Sequence, residues 1–154
     1  MQDHDALRRL QAHYDAMPPV AALGLRIAAF AGARLRLAAP LAHHVNDKGC
    51  AFGGSLGSLL TLAAWGLVHV RLEAAGLDAD VYVADSTLRY LAPLFEDLRA
   101  EARLAPGADW DAFTAALRTR GRGRIEVVGE APMADGGVAT TFAGRYVAIL
   151  RPGR

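Results

Sequence analysis

The sequence has few of the features that mark a secreted, redox-active or highly charged protein. Cys50 is the single cysteine among 154 residues, so no disulfide can form within the chain. The 17 lysines and arginines nearly balance the 16 aspartates and glutamates, and the formal net charge is +1. This charge excludes an electrostatic argument for nucleic acid or an anionic membrane as the main partner. The first ten residues contain acids and no apolar signal region, which together with the lone cysteine favours the cytoplasm.

Motifs for cofactors and metals are also missing. The sequence contains no G-x-G-x-x-G and no Walker A pattern, so it gives no support for a dinucleotide cofactor or for NTP chemistry. The neighbouring residues His43 and His44 invite a metal interpretation, but no further histidine or cysteine has a convincing ligand spacing. We therefore predict that the protein uses neither a cofactor nor a metal.

One long segment carries no charge. From Cys50 to Val70 the sequence contains no acid, lysine or arginine, and the first charged side chain beyond it is Arg71. Such a run is nearly long enough to cross a bilayer of ~30 Å. Its first half is diluted by glycine, serine and threonine, and strand-like sequence flanks it on both sides. We predict a helix buried in the core of a soluble protein and no membrane partner.

The remaining periodicities predict one α+β domain covering residues 1–154. Predicted helices cover 3–17, 54–75, and a short segment after the N-cap Asp109; predicted strands cover 23–30, 34–39, 80–91, 98–104, 124–129 and 138–150. A mostly antiparallel, curved sheet wrapped around the long apolar helix satisfies both patterns. Because such a sheet leaves edges to protect, we expect dimerisation.

The start of the apolar helix is the best candidate for a chemical site. A polar loop, beginning at Asn46, leads into Gly53 and Gly54. Amides at a helix start lack partners and carry the positive end of the helix dipole. Glycine lets a ligand oxygen approach these amides closely.

Three pieces of sequence carry a family resemblance: G-C-A-F-G-G-S-L at 49–56, A-W-G-L at 64–67, and D-S-T-L-R-Y-L-A-P at 85–93. They resemble the YiiD-type thioesterase-like domain of the hotdog-fold acyl-CoA thioesterase superfamily, over about residues 19–150. The resemblance implies a hotdog fold and a homodimer or dimer of dimers with sites at the subunit interface. It also implies an acyl-CoA or acyl-carrier thioester substrate, with coenzyme A as part of the substrate.

The resemblance assigns roles at the helix start and also shows two departures. The N–H of Gly53 or Gly54 would hold the oxyanion, and Asn46 would orient the nucleophile or water. In the better-known members of the superfamily a histidine precedes the two glycines, and this chain has Phe52 there. Their carboxylate, nine residues further on, is replaced by Thr61, which can donate a hydrogen bond to ligand or water but cannot act as an anionic base.

Two other carboxylates are candidates for the base. Asp85 lies inside an otherwise apolar strand, so we expect burial to raise its pKa and make it a useful base. Asp47, beside the loop asparagine, is the second candidate. An ion pair for Asp85 and simple solvation for Asp47 are the alternatives.

Arginines are the candidates for contacts with coenzyme A. Arg118, Arg120, Arg122 and Arg124 alternate with small residues and are expected to form a loop at the site entrance. We predict that Arg89, Arg122 and Arg124 contact coenzyme A, because a guanidinium suits phosphate geometry. Phe52 is also predicted to contact the substrate. A solvated strand lead-in explains the same pattern without a ligand.

These observations leave two functions open. The first is hydrolysis of a thioester, with water activated by a carboxylate and the oxyanion held by helix-start amides. The second is a non-catalytic acyl-CoA or fatty-acyl binding module, which Phe52 and Thr61 make credible.

Overall fold

The computed structural model describes residues 2–153 and contains four helices and six strands in that range. The helices are α1 (Gln2–Ala16), α2 (Pro18–Ala21), α3 (Gly53–Ala74) and α4 (Trp110–Arg120). The strands are β1 (Arg26–Ala31), β2 (Arg34–Ala39), β3 (Ala79–Tyr90), β4 (Leu98–Leu104), β5 (Arg122–Pro132) and β6 (Val138–Leu150). A single 3₁₀ turn, Leu41–His43, precedes the loop that leads into α3.

The six strands form one antiparallel sheet in the order β1-β2-β4-β5-β6-β3. The predicted α+β architecture is confirmed, with the sheet curved around α3. Strands β2, β4 and β6 begin and end at the predicted residues. The short helix α2 was not predicted; Pro18 begins it, because proline is well suited to the first turn of a helix.

Helix α3 is the core of the molecule rather than a membrane span. It is long and apolar enough to cross a bilayer, but 61% of its most apolar window is buried inside the fold. Eleven of its residues are buried, from Leu56 to Leu72. The helix ends where predicted, because Gly76 adopts a left-handed conformation (φ 72°) that side chains disfavour.

Hydrogen bonds from aromatic side chains tie α3 to the elements around it. Tyr146 of β6 donates to the carbonyl oxygen of Thr61 at 2.7 Å, and Trp65 of α3 donates to that of Val81 in β3 at 2.9 Å. Tyr14 of α1 is fully buried and donates to the carbonyl oxygen of Leu62 at 2.7 Å. Each such bond contributes ~1 kcal/mol net, so the aromatic hydroxyls and indole fix the rotation of α3 against the sheet.

A bulge in β3 decides which side chains face the helix. The register against β6 shifts between Val83 and Asp85. After the bulge, Leu88 faces α3, because a Cβ on Gly57 would lie 3.1 Å from its Cδ1. Side chains alternate along a strand, so Ser86 faces α3 as well, whereas Asp85 faces the opposite surface of the sheet.

The arginine-rich segment is not a loop, which corrects the expectation from sequence. Arg118 and Arg120 lie in the last turn of α4, and Arg122 and Arg124 lie in β5. A single residue, Gly121, joins the two elements in a left-handed conformation (φ 77°). The segment is therefore held by a helix end and by a strand that is paired with β6.

Candidate active site

The loop before α3 is closed by its own backbone. Val45 and Ala51 form a β-bridge, and the N–H of Asn46 donates to the carbonyl oxygen of Cys50 at 2.8 Å. The side-chain oxygen of Asn46 accepts from the N–H groups of Lys48 (2.8 Å) and Cys50 (3.1 Å). Its amide nitrogen donates to the Cys50 sulfur at 3.2 Å. In this chain Asn46 thus holds the loop in shape.

The loop delivers two free amides at the start of α3. Phe52 precedes the helix in an extended conformation, and its carbonyl oxygen accepts from the N–H groups of Ser55 (3.0 Å) and Leu56 (3.2 Å). The N–H groups of Gly53 and Gly54 come before Ser55, the first residue whose N–H donates within the helix, and no backbone or side-chain oxygen in residues 2–153 accepts from them. They form a ready site for an anionic oxygen.

The first residues of α3 approach β3 closely. The hydroxyl of Tyr90 donates to the carbonyl oxygen of Gly53 at 3.0 Å, and a Cβ on Gly53 would lie 3.3 Å from the Tyr90 ring. A Cβ on Gly54 would lie 2.6 Å from the ring of Phe52. The two glycines therefore let aromatic rings pack against the helix start while their amides remain open.

His44, just before this loop, makes contacts that the sequence does not signal. It is buried, and Nε2 lies 2.7 Å from the carbonyl oxygen of Leu23, so this nitrogen carries the hydrogen. Nδ1 lies 2.8 Å from the hydroxyl of Ser55, and the His44 carbonyl oxygen accepts from the N–H of Phe52 at 2.7 Å. His44 thereby fixes the position at which α3 begins. Leu23 and Ser55 are distant in sequence, and no local motif signals these contacts.

No metal site is formed by the described residues. Between residues 2 and 153, no group of three or more histidine, cysteine, aspartate or glutamate side chains is arranged to hold a metal ion.

Thr61 lies two turns along α3 from the glycines. Its hydroxyl donates to the carbonyl oxygen of Gly57 at 2.8 Å. The hydroxyl hydrogen is therefore occupied within the helix, while the oxygen can still accept from a water or ligand.

Asp85 is not buried, and the expectation that burial raises its pKa is wrong. Its side chain is 55% exposed and forms an ion pair with Arg145 of β6, with Nε of the arginine 2.9 Å from Oδ1. Hydrogen bonding from Arg145 lowers the pKa of Asp85. Asp85 lines a cleft on the outer surface of the sheet with Glu126 and Arg145. The physical reason is the bulge, which turns Asp85 away from α3.

Asp47 lies in the closed loop that leads into α3. Its side chain is 80% exposed and pairs with the neighbouring Lys48 at 2.8 Å. It is therefore accessible to a bound molecule.

The arginines predicted to contact coenzyme A lie apart from the helix start within one chain. Arg89 has the same strand parity as Asp85 and faces the outer surface of the sheet. Arg122 is in register with Ile149, which is in register with Asp80 at the beginning of β3. Tyr90 lies ten residues further along that strand, which corresponds to about 33 Å. One chain alone cannot bring Arg122 to the amides of α3.

A curved antiparallel sheet wrapped around a long helix that starts at two glycines defines a hotdog-fold protein. The chain belongs to the family described as "Putative thioesterase (yiiD_Cterm)", whose model matches residues 7–150. The resemblance seen in the sequence is thereby confirmed.

Solved structures agree with this assignment. A protein of unknown function from Chlorobaculum tepidum is 26% identical with a TM-score of 0.85, and the match covers 94% of each chain. A "putative thioesterase" from Shewanella oneidensis is 26% identical with a TM-score of 0.84, covering 95% of this chain and 99% of the other. A thioesterase from Haemophilus influenzae is 16% identical with a TM-score of 0.71, covering 94% and 90%, and shares the fold.

Proposed function

We propose that the protein hydrolyses an acyl-CoA or acyl-carrier thioester to a free acid and a thiol. The observation that carries this proposal is the pair of N–H groups, of Gly53 and Gly54, at the start of a 22-residue helix, for which residues 2–153 provide no acceptor. Membership of a thioesterase family supports the reaction class. Coenzyme A or the carrier is part of the substrate, and the reaction needs no cofactor.

In the proposed reaction the thioester carbonyl oxygen docks on the helix-start amides. A water attacks the carbonyl carbon, and the oxygen gains negative charge that the N–H groups and the helix dipole stabilise. Collapse of this intermediate breaks the carbon–sulfur bond, and the thiolate leaves and takes up a proton. A helix-start donor of this kind is worth ~3–4 kcal/mol in the transition state.

Asp47 is the carboxylate that the geometry favours as the base. The sequence placed Asp85 first, but in this chain the sheet separates its carboxylate from the amides of α3. Asp47 is exposed in the loop that leads directly into the helix. In the proposal, Asn46 holds this loop and the Thr61 oxygen accepts from the attacking water.

We further propose that the site is completed by a second copy of the chain. Strand β3 is an edge strand of 12 residues, and Tyr82, Val83 and Tyr90 on it are 55%, 44% and 55% exposed. Long exposed apolar edges favour pairing with another chain. Phe52 is 56% exposed beside the amides, so the site has an open wall that a partner can close over the acyl or thiol portion of the substrate.

The alternative function is a non-catalytic acyl-CoA or fatty-acyl binding module. It is favoured by Thr61, whose hydroxyl hydrogen is occupied by Gly57, and by the position of Asp85 on the outer surface of the sheet. Neither residue provides a base beside the amides of the same chain. Both functions use the same docking site. For either function we propose a cytoplasmic location, which a single, buried cysteine favours.

Thiol release from a panel of acyl-CoA and acyl-pantetheine thioesters tests the proposal, together with calorimetric binding of the same compounds. Hydrolysis of at least one thioester, at a rate that depends on Asp47, is the expected result. Tight binding without thiol release from any compound establishes the binding module instead. Neither binding nor turnover would contradict both functions.

A further inference from the structure

Three aromatic rings, of Trp65, His69 and His13, form a stack where α3 passes the beginning of β3. The rings of Trp65 and His69 lie one helical turn apart and stack, with centroids 5.0 Å apart and 14° between the planes. His13 of α1 contacts both rings edge-on, with its centroid 5.2 Å from each. Within residues 2–153 the imidazoles of His13 and His69 make no hydrogen bond, in contrast to that of His44. Each therefore offers its ring nitrogens to a molecule outside the chain.

This aromatic stack borders the free edge of β3. The N–H of Arg151 donates to the carbonyl oxygen of Asp78 at 3.0 Å, on the side where β3 pairs with β6. Backbone groups of an antiparallel strand point alternately to its two edges, so the carbonyl of Val81, three residues further on, points away from β6. Trp65 donates to this carbonyl oxygen. The indole therefore reaches the edge at which β3 has no neighbour within one chain.

Helix α3 runs alongside this edge in the direction opposite to β3. Tyr90, at the end of β3, contacts Gly53 at the helix start. Val81, near the beginning of β3, contacts Trp65, which lies about three turns further along the helix. The open amides are therefore at one end of the free edge, and the aromatic stack is near the other end.

Pairing of β3 with its own copy brings these two ends together. A twofold axis that pairs antiparallel edge strands stands perpendicular to the sheet, so both α3 helices lie on the same face. Pairing centred on the middle of β3 places residues 79–82 of one copy beside residues 87–90 of the other. The Trp65 side chain of one subunit then lies beside the contact of Tyr90 with Gly53 in the other. Packed helices have axes about 8–10 Å apart, a distance that side chains bridge.

We propose that His69 of the partner subunit completes the site at the helix-start amides and donates a hydrogen bond to the thioester oxyanion. This inference rests on the proposed hydrolysis and on the pairing of two β3 strands. Each site then combines the N–H groups of Gly53 and Gly54 from one subunit with an imidazole N–H from the other. Histidine side chains serve as oxyanion donors together with backbone amides. His69 neither gains nor loses a proton in the reaction.

The surroundings of His69 favour a neutral imidazole with one N–H to donate. Burial lowers the pKa of His69, and the neighbouring His13 lowers it further. The charged side chains that border the adjoining clefts pair with one another: Arg9 with Glu73, and Arg151 with Asp78 and Asp80. The ring is therefore neutral at pH 7, and the nearby carboxylates are occupied by arginines.

Two variants of His69 separate the hydrogen bond from the ring stacking. His69→Phe keeps a ring against Trp65 but has no N–H, and should lower kcat by about 10²-fold, as expected for loss of one oxyanion donor. His69→Gln keeps a donor and should be faster than His69→Phe. His13→Phe is the matched control within the same stack and should retain the wild-type kcat. Equal kcat values for His69→Phe and His13→Phe, or for His69→Phe and His69→Gln, overturn the proposal.

Mixed dimers test whether His69 acts across the interface. His69→Phe subunits are refolded with the slower of Gly53→Pro and Gly54→Pro, so that about half of the dimers contain one of each. In a mixed dimer one site has intact amides from one subunit and an intact His69 from the other. Thiol release should therefore return to about one quarter of the wild-type rate, because one of two sites works in half of the dimers. No return of activity overturns the proposal.

The control mixture combines the same proline variant with Asp47→Asn. Both changes are at the start of α3, so each site of a mixed dimer carries one of them. Thiol release should stay at the level of the separate variants. Recovery equal to that of the His69→Phe mixture would overturn the proposal, because it would not depend on a residue from the other end of β3.

Cross-linking tests the placement of His69 without turnover. In a Cys50→Ser background, Phe52→Cys and His69→Cys subunits are refolded together and treated with a short bifunctional maleimide. A covalent dimer should form in the mixture but in neither variant alone, because two copies of either position lie at opposite ends of the paired strands. Absence of this dimer overturns the proposal. A cross-link in a protein that hydrolyses no thioester supports the placement and refutes the hydrolysis alone, so the two failures are distinguishable.

Discussion

The hydroxyl of Tyr90, the last residue of β3, donates a hydrogen bond of 3.0 Å to the carbonyl oxygen of Gly53, the first residue of α3. This bond joins an edge strand to the helix start that we propose as the oxyanion site. Since the ring of Tyr90 also packs against Gly53, the position of the free amides depends on the end of β3.

Tyr90→Phe is expected to lower kcat/KM by up to about tenfold, which corresponds to the net value of one hydrogen bond. The ring remains, so the free energy of unfolding should change little. Tyr82→Phe is the matched control, because Tyr82 is equally exposed on the same strand and its hydroxyl makes no hydrogen bond in residues 2–153. Equal kinetics for the two variants would show that the Tyr90 contact does not position the amides.

Asp47→Asn and Asp85→Asn form a second pair. Asp47→Asn should lower kcat by ~10²–10⁴-fold, the range for loss of a general base. Asp85→Asn should change kcat far less, because the Asp85 carboxylate faces the outer surface of the sheet with Arg145. Both kcat values are measured by thiol release at saturating substrate. A larger loss of kcat in Asp85→Asn than in Asp47→Asn would indicate that Asp85 is the base.

Gly66→Ala is expected to destabilise the fold. A Cβ there would lie 2.0 Å from the hydroxyl oxygen of Tyr14 and 2.8 Å from Leu35, where α1 and β2 pack on α3. Overpacking of this kind costs ~1–3 kcal/mol in the free energy of unfolding. Tyr14→Phe removes the nearest atom, so the double variant should lose less stability than the two single changes added together. Strict additivity in urea unfolding would contradict the close approach.

Glu101 predicts a pH dependence of stability. Burial pushes the pKa of Glu101 up, but hydrogen bonds from Arg34 and Arg36 outweigh it and hold the pKa below its ordinary value. A depressed carboxyl pKa stabilises the fold at pH values above the ordinary glutamate pKa of ~4.3 and loses this effect as pH falls through the folded value. Glu101→Gln should therefore be less stable than wild type at pH 7 by ~1–2 kcal/mol, the value of hydrogen bonds to a charged group.

The same comparison at acidic pH completes this prediction. The difference in unfolding free energy between wild type and Glu101→Gln should shrink as pH falls below the range in which the carboxyl ionises. A difference that stays constant from pH 7 to pH 3 would show that the two arginines do not stabilise the ionised form of Glu101.

Much of the fold could be predicted from local patterns. Strand β4 alternates Leu98 and Ala100 with the charged Arg99 and Glu101, and a period of two predicts the strand and its core-facing side. The burial of Glu101 on the other side, where it pairs with Arg34 and Arg36, was not predicted. The long apolar helix had to be covered, and the sheet together with α1 buries eleven of its 22 residues. These features depend on neighbours in sequence, so the sequence alone was sufficient.

The faces of β3 could not be predicted, because the bulge near Ala84 has no glycine or proline to signal it. When the bulge is not recognised, the pattern predicts that Asp85, inside an apolar strand, is buried. In addition, β3 is the edge of the sheet in one chain, and Tyr82, Val83 and Tyr90 on it are exposed. The helix-start amides were predictable from Gly53 and Gly54, whereas the contacts of His44 join segments that only the fold brings together.

The central claim, that the amides of α3 hold a thioester oxyanion, is tested most directly by removing each N–H while keeping the helix. Proline is tolerated in the first turn of a helix, and Phe52 already has the extended conformation that suits a following proline (ψ 131°). Thiol release is measured for Gly53→Pro and Gly54→Pro, each compared with the alanine variant at the same position, which adds a Cβ but keeps the N–H. Unfolding in urea confirms that each variant is folded. We predict that at least one proline variant is slower than its alanine partner by ~10²–10³-fold. Equal rates within both pairs of folded variants would contradict the claim.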